Sequence, residues 1–461
     1  MCKGLQAGFA RLNINPPMGV DVNGYWVQRN AEGILDDLEV NALALKNGDK
    51  TVVLITVDNV GIAHVYYEQF TKAISEKTGL PIEAIFLHCT HTHTGPSTLA
   101  PESRYTDKES YKVAKKLSDD YKEFLLVRCM DVATLALSDL KPAKMGYGVG
   151  LAPNVAFVRR YRMKDGSVKT NPGVLNPDIV EPIGKVDERV SVVRFDREGA
   201  ETIVLTNMGN HPDTVGGNLI SGDWPTLTRH FVEKSIDNVR CIFFNGPQGD
   251  VNHVNVHPTK GDFNDMFNDF DGCSRGYGHT KYMARVVTGG VLQAFDKVNY
   301  VDDDEIKFMQ KKILIPANKT ETDDVALAEK YLKLHSEGKD EEIPYKAMML
   351  TTVLAESARI VRMQTAPDNF PFTLSAISIG SVALVGFPGE PFTAIGRALK
   401  ETEGYDLVVP CCIVNGYRGY FPMQDSYDEG GYEARSSSYK AGVGEKLIHY
   451  SKELLTELKN K

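Results

Sequence analysis

The sequence is poor in the features that assign a protein quickly. Its seven cysteines, Cys2, Cys89, Cys129, Cys241, Cys273, Cys411 and Cys412, are an odd number at irregular spacings, with no C-x-x-C pair. A thiolate zinc site is therefore not expected, and reduced, mostly buried thiols are. Positive charge is in deficit: 52 Lys and Arg stand against 61 Asp and Glu, a net charge of −9. Phosphate binding needs clustered Lys and Arg, so no nucleic-acid partner is expected, nor strong attraction to an anionic membrane. No apolar run approaches membrane-spanning length, which excludes a transmembrane helix. The opening Met1-Cys2-Lys3-Gly4 leads into no apolar stretch, so no signal peptide is visible. The expected location is the cytoplasm as written, or outside the cell if a leader has been removed. No H-E-x-x-H and no G-x-S-x-G is present. Gly146, Gly148 and Gly150 alternate too closely for a phosphate-binding loop. There is no long repeat and no low-complexity linker.

What is present is a recurring construction. An apolar strand runs to a turn, a second returns, and a polar cluster follows. Leu38 to Lys46 turns at Asn47-Gly48-Asp49 and returns as Thr51 to Val57, ending at Asp58-Asn59. Val190 to Phe195 returns as Thr202 to Thr206, ending at Asn210-His211, and Phe372 to Ile379 returns as Val382 to Phe387, ending at Pro388-Gly389-Glu390. Three more apolar runs, Ile82 to Leu87, Cys241 to Phe244 and Leu407 to Val414, also finish in polar clusters. Strands that all end this way suggest one shared rim, where sites gather in open sheets. Helices are predicted over 66–77, 111–137, 226–236, 282–295, 324–336, 347–364, 392–401 and 443–458. With 461 residues, 42% of them apolar, the expectation is an α/β protein of mixed α+β layers. Its large β-sheet core of hairpins is flanked by helices, with the site at the strand ends. A single catalytic domain over 1–461 is expected, with a helical, partly acidic segment at about 302–364.

Three segments carry chemistry. In extended His91-Thr92-His93 the two imidazoles share a face. His211 is followed by Pro212, and Glu390 lies between Pro388-Gly389 and Pro391, on stiffened chain. Two histidines and a glutamate form a nitrogen and oxygen set that binds zinc and leaves a position for water. His253 and His257 are rival ligands. Asp58, Asp223 and Asp250 are candidates to support the histidines or to cap structure.

Together these segments resemble the neutral (non-lysosomal) ceramidase family. The likeness runs from Gly8-Phe9-Ala10-Arg11 through Thr90-His91-Thr92-His93-Thr94-Gly95-Pro96, Asn210-His211-Pro212, Gly249-Asp250 and Pro388-Gly389-Glu390. It ends in Asn415-Gly416-Tyr417-Arg418-Gly419-Tyr420 and Tyr432-Glu433. The resemblance implies zinc on His91, His211, Glu390 and Tyr420. It implies that His93 faces the scissile group and that Tyr432, with Arg159 or Arg160, binds the carbonyl oxygen. The implied activity is a zinc-dependent hydrolase cleaving an amide, N-acyl, ceramide-like bond by metal-activated water. Its substrate would be a small or lipid-like molecule of sphingolipid type. An esterase, a lactonase, another amidohydrolase, or a non-catalytic metal-binding homologue are the alternatives. There are two departures. Asn252 stands where the family often has a serine, which disfavours a covalent serine route. The chain also stops soon after its last helix, where ceramidases carry an immunoglobulin-like domain.

Overall fold

A computed structural model describes residues 4–263, 276–319 and 324–461. Cys2 and Cys273 lie outside these residues; the other five cysteines are free thiols and buried.

The recurring construction is one connectivity used three times. In the first unit, β1 (Gln6–Asn13), β2 (Glu39–Asn47) and β3 (Lys50–Val57) form an antiparallel meander. Helix α1 (Tyr67–Thr78) then crosses over, and β4 (Ile85–Cys89) lies parallel to β3. The second unit repeats this with β5 (Lys141–Leu151), β6 (Arg189–Arg197), β7 (Thr202–Met208), a crossover helix and parallel β8 (Val239–Asn245). The third has β9 (Ile306–Pro316), β10 (Asn369–Ile379), β11 (Val382–Gly386), again a crossover helix, and parallel β12 (Leu407–Cys411). Units one and two join edge to edge through β1 and β5, at Gln6 opposite Pro142 and Ala7 opposite Lys141. The result is a nine-stranded sheet of order β8-β7-β6-β5-β1-β2-β3-β4, with Asn299–Tyr300 added against β5. Unit three is a separate four-stranded sheet.

The two sheets pack face to face. Leu43, Leu54, Phe86, Phe195, Leu205 and Phe244 of the large sheet meet Ile377, Ile379, Leu384 and Val409 of the small one. The outer face of the large sheet is covered by α1 and α2 (Lys108–Ser138) on the first unit. On the second it is covered by α3 (Asp223–Ser235), the crossover of that unit, and α4 (Gly276–Phe295). The small sheet is covered by the helices Thr393–Lys400 and Val443–Asn460. Strands buried on both faces lose the alternation of a half-exposed strand, and seven consecutive residues of β2, Glu39 to Leu45, are buried. The architecture is the expected mixed α/β one.

Each predicted helix is present, but two readings change. The segment near 302–364 is not wholly helical. It opens with β9, and only then come α5 (Val325–Ser336) and α6 (Ala347–Met363). The remaining helices are α7 (Thr393–Lys400), the crossover of the third unit, and α8 (Val443–Asn460). The leading strand of each unit also escaped the pattern. Gly146, Gly148 and Gly150 lie on β5, and a side chain at Gly150 would stand 1.9 Å from the carbonyl oxygen of Gly290 on α4. These glycines serve close strand-to-helix packing.

Candidate metal centre

In every unit the parallel strand pair ends on the same side of its sheet, and the candidate residues lie just beyond those ends. His91 and His93 follow β4, His211 follows β7, Glu390 follows β11, and Tyr417 and Tyr420 follow β12. The ends are tied together through Asn245. Its side-chain amide donates to the carbonyls of Thr90 and Asn210, both at 3.0 Å, and its own carbonyl accepts from the Cys412 amide at 2.9 Å. One residue thus bonds to all three units.

His91, His211 and Glu390 converge in a fully buried spot. His91 Nε2 lies 3.3 Å and His211 Nε2 3.2 Å from Glu390 Oε2. Main-chain carbonyls fix both rings from behind. His91 Nδ1 donates to Val60 at 2.7 Å, and His211 Nδ1 reaches the carbonyls of Gln248 and Val251, both at 2.9 Å. A proton on Nδ1 leaves Nε2 as a bare lone pair, the tautomer a metal needs. His211 Nε2 and Glu390 Oε2 are buried without a hydrogen-bond partner among the described residues. His91 holds φ at +75°, outside the usual range for a side-chain-bearing residue.

His93 closes the cluster. Its Nε2 is 3.3 Å from His91 Nε2, and its Nδ1 is 3.6 Å from Asp213. The three imidazoles are close enough to share one ion. Burial pushes His93 and His211 below the ordinary histidine range, so they are neutral and able to ligate. Burial alone would raise the Glu390 carboxyl, but His91 and His211 outweigh it and hold it well below the usual carboxylate range.

A phenol and guanidinium layer surrounds this spot. Tyr420 stacks at 6.4 Å from His211, and the Arg159 guanidinium lies 5.3 Å from the Tyr420 ring and hydrogen-bonds its phenol. Arg159 is held by Glu433 at 2.7 Å and the Gly249 carbonyl at 2.8 Å. Tyr432 lies against Tyr420 with ring centroids 5.5 Å apart, and burial keeps its phenol protonated. Arg160 takes another direction. It pairs with Glu429 at 2.9 Å and lies over Phe392, so of the two arginines only Arg159 meets the tyrosine layer.

Other expectations resolve differently. His253 is buried near His279, and His257 is exposed; neither joins the cluster among the described residues. Asp58 pairs with Arg229, Asp223 accepts the Thr214 and Val215 amides, and Asp250 accepts from Thr393. They hold the scaffold, and main-chain carbonyls orient the ligand rings instead. Asn252 bonds to Asn171 at 3.0 Å. Tyr417, Asp213 and Asn245 were given no role from sequence. Burial and the nearby Glu390 carboxylate push the Tyr417 phenol well above its usual range, and its ring is 5.7 Å from that of His91. Its only signal was membership of the same segment as Tyr420.

Fold and site define a layered α/β/β/α protein with a buried imidazole cluster, beside a carboxylate, that is able to hold a metal ion. The fold is that of the neutral ceramidases. The crystal structure of neutral ceramidase from Pseudomonas aeruginosa superimposes with a TM-score of 0.72 at 17% identity, over 100% of this chain and 75% of that one. A ceramidase complexed with C2 superimposes with a TM-score of 0.68 at 16% identity, over 99% and 75%. No family model and no curated protein sequence matches the chain.

Proposed function

We propose that this protein is a zinc-dependent hydrolase of amide bonds, a single catalytic domain of ceramidase type. The observation that carries the reading is the convergence of His91 Nε2 and His211 Nε2 on Glu390 Oε2 within 3.3 Å, in a buried site whose rings are already in the ligating tautomer. His91, His211, Glu390 and Tyr420 are the proposed ligands. A divalent ion held there supplies an acidified water and a charge that polarises a carbonyl. Two imidazoles, a carboxylate and a phenol suit zinc.

The protein's own groups do the rest. Arg159, fixed by Glu433, and the protonated Tyr432 donate to the carbonyl oxygen as it gains negative charge. Each such donor contributes about 3–4 kcal/mol of barrier lowering. His93 is neutral by burial and is positioned by Asp213, which also takes the Tyr25 hydroxyl. It carries the proton that the leaving nitrogen needs.

The deciding experiment is elemental analysis of the purified protein beside His211→Ala, with an N-acyl amide assay before and after chelation. About one zinc per chain, lost in the variant, and hydrolysis that stops with chelator are expected. A metal-free protein, or turnover indifferent to chelator, overturns the reading.

A further inference from the structure

The cavity above the imidazoles, about 540 Å³, has walls that a neutral lipid amide does not explain. Three arginines line it, Arg104, Arg362 and Arg418, while among the described residues its only carboxylate is Glu390, already committed to the imidazoles. Arg104 is accounted for by Asp21 at 2.7 Å. Arg362 and Arg418 make no ion pair among the described residues. Arg362 donates to Ser438 Oγ at 2.6 Å, and the charged or ionisable groups around it are the Tyr439 phenol and another cation, Arg359. The Arg418 guanidinium lies 5.4 Å from the Phe372 ring, and the Arg418 main-chain carbonyl accepts from the Tyr439 hydroxyl at 2.8 Å. Elsewhere in this net-acidic chain Arg11, Arg194, Arg197 and Arg435 each face a carboxylate.

Both guanidiniums flank Tyr439, so they share one end of the cavity. Ser436, Ser438 and Tyr439 line the cavity too. His64 lines it as well, and its buried Nδ1 has no hydrogen-bond partner among the described residues. An anion placed here receives charge-assisted, fork-shaped hydrogen bonds in a cleft that focuses the field. Tyr25 and Trp26 also line the cavity and offer aromatic surface to an apolar acyl chain.

We propose that the substrate is an acidic N-acyl compound, of the N-acyl amino acid kind, whose anionic group sits between Arg362 and Arg418 while its amide lies at the imidazoles. This rests on the hydrolase reading above.

The test compares N-hexanoylglycine with the uncharged N-hexanoylglycinamide on the zinc-loaded protein, by calorimetric binding and by kcat/KM. The acid is expected to bind at least tenfold more tightly and to be cleaved with at least a tenfold higher kcat/KM. In the Arg362→Gln/Arg418→Gln variant, checked for unchanged zinc content and melting temperature, the ratio is expected to fall to about one. Should that variant fold poorly, Arg418→Lys is expected to keep the charge, lose the fork and lower the ratio at least threefold. Equal binding of acid and amide by the unaltered protein overturns the proposal. So does a preference that survives in the variants, because the carboxylate would then be reading the metal. If neither compound is cleaved, the hydrolase reading fails, and the binding ratio still decides the anion seat.

Discussion

Tyr417 and His93 show how narrowly the centre is built. Tyr417 stands beside Glu390, a proposed ligand, and neighbours of that kind tune metal affinity by about 10–100-fold. Tyr417→Phe is expected to weaken zinc binding by that factor in a competition titration, leaving the folded structure intact by circular dichroism. His93 is held by chain packed directly behind it. Gly24 has φ at +114°, and a side chain there would stand 2.8 Å from His93 Cβ and 2.9 Å from its Cα. Gly24→Ala is expected to destabilise the protein by about 1–3 kcal/mol. It should lower kcat more than zinc content, because His93 must move. The histidines and Glu390 were legible because they follow apolar strands in short, stiff segments. Tyr417, Asp213 and Asn245 were not, since their roles come from partners in other elements or from main-chain contacts. Choosing between Arg159 and Arg160 also needed the positions of Glu433 and Glu429.

At the scale of elements, salt links fasten one unit to another. Asp187, just before β6, meets Lys400 of α7 at 2.9 Å and Arg189 at 2.8 Å, while Arg189 reaches Glu401 at 3.0 Å. Burial alone would raise the Asp187 carboxyl, but Lys400 and Arg189 pull it down to about 2. Its folded pKa is below the unfolded value of about 3.9, so the link stabilises fully above that value and is lost as pH falls towards 2. The contribution is on the order of 2 kcal/mol. Urea unfolding from pH 5 to pH 2 is expected to show Asp187→Asn less stable at pH 5 and the gap closing at pH 2. Hairpins and helices were readable from turn residues and apolar spacing. The leading strand of each unit was not. Gln6–Asn13 and Ile306–Pro316 are mostly half-buried, with charged residues interleaved, and Lys141–Leu151 has glycine where a core strand has large side chains.

Across the whole molecule, the proposed ligands come from all three units, so metal binding and global folding are one equilibrium. An ion that binds only the folded chain stabilises it by about 2.7 kcal/mol at a hundredfold excess over its Kd. The melting temperature is expected to rise with zinc, fall with chelator, and respond to neither in His211→Ala. That the same connectivity occurs three times was half visible in sequence. The hairpins and their polar endings recur, but the pairing of units one and two into one sheet, and the stacking of unit three on it, depend on which apolar faces meet.

The knot at Asn245 has a consequence for how the protein matures. Residues 91, 211 and 390 approach one another only after the first unit, the second and the third have docked around that single amide. Without the third unit, residues 91 and 211 lack the Glu390 carboxylate beside them. The full set of proposed ligands is complete only where all three units meet.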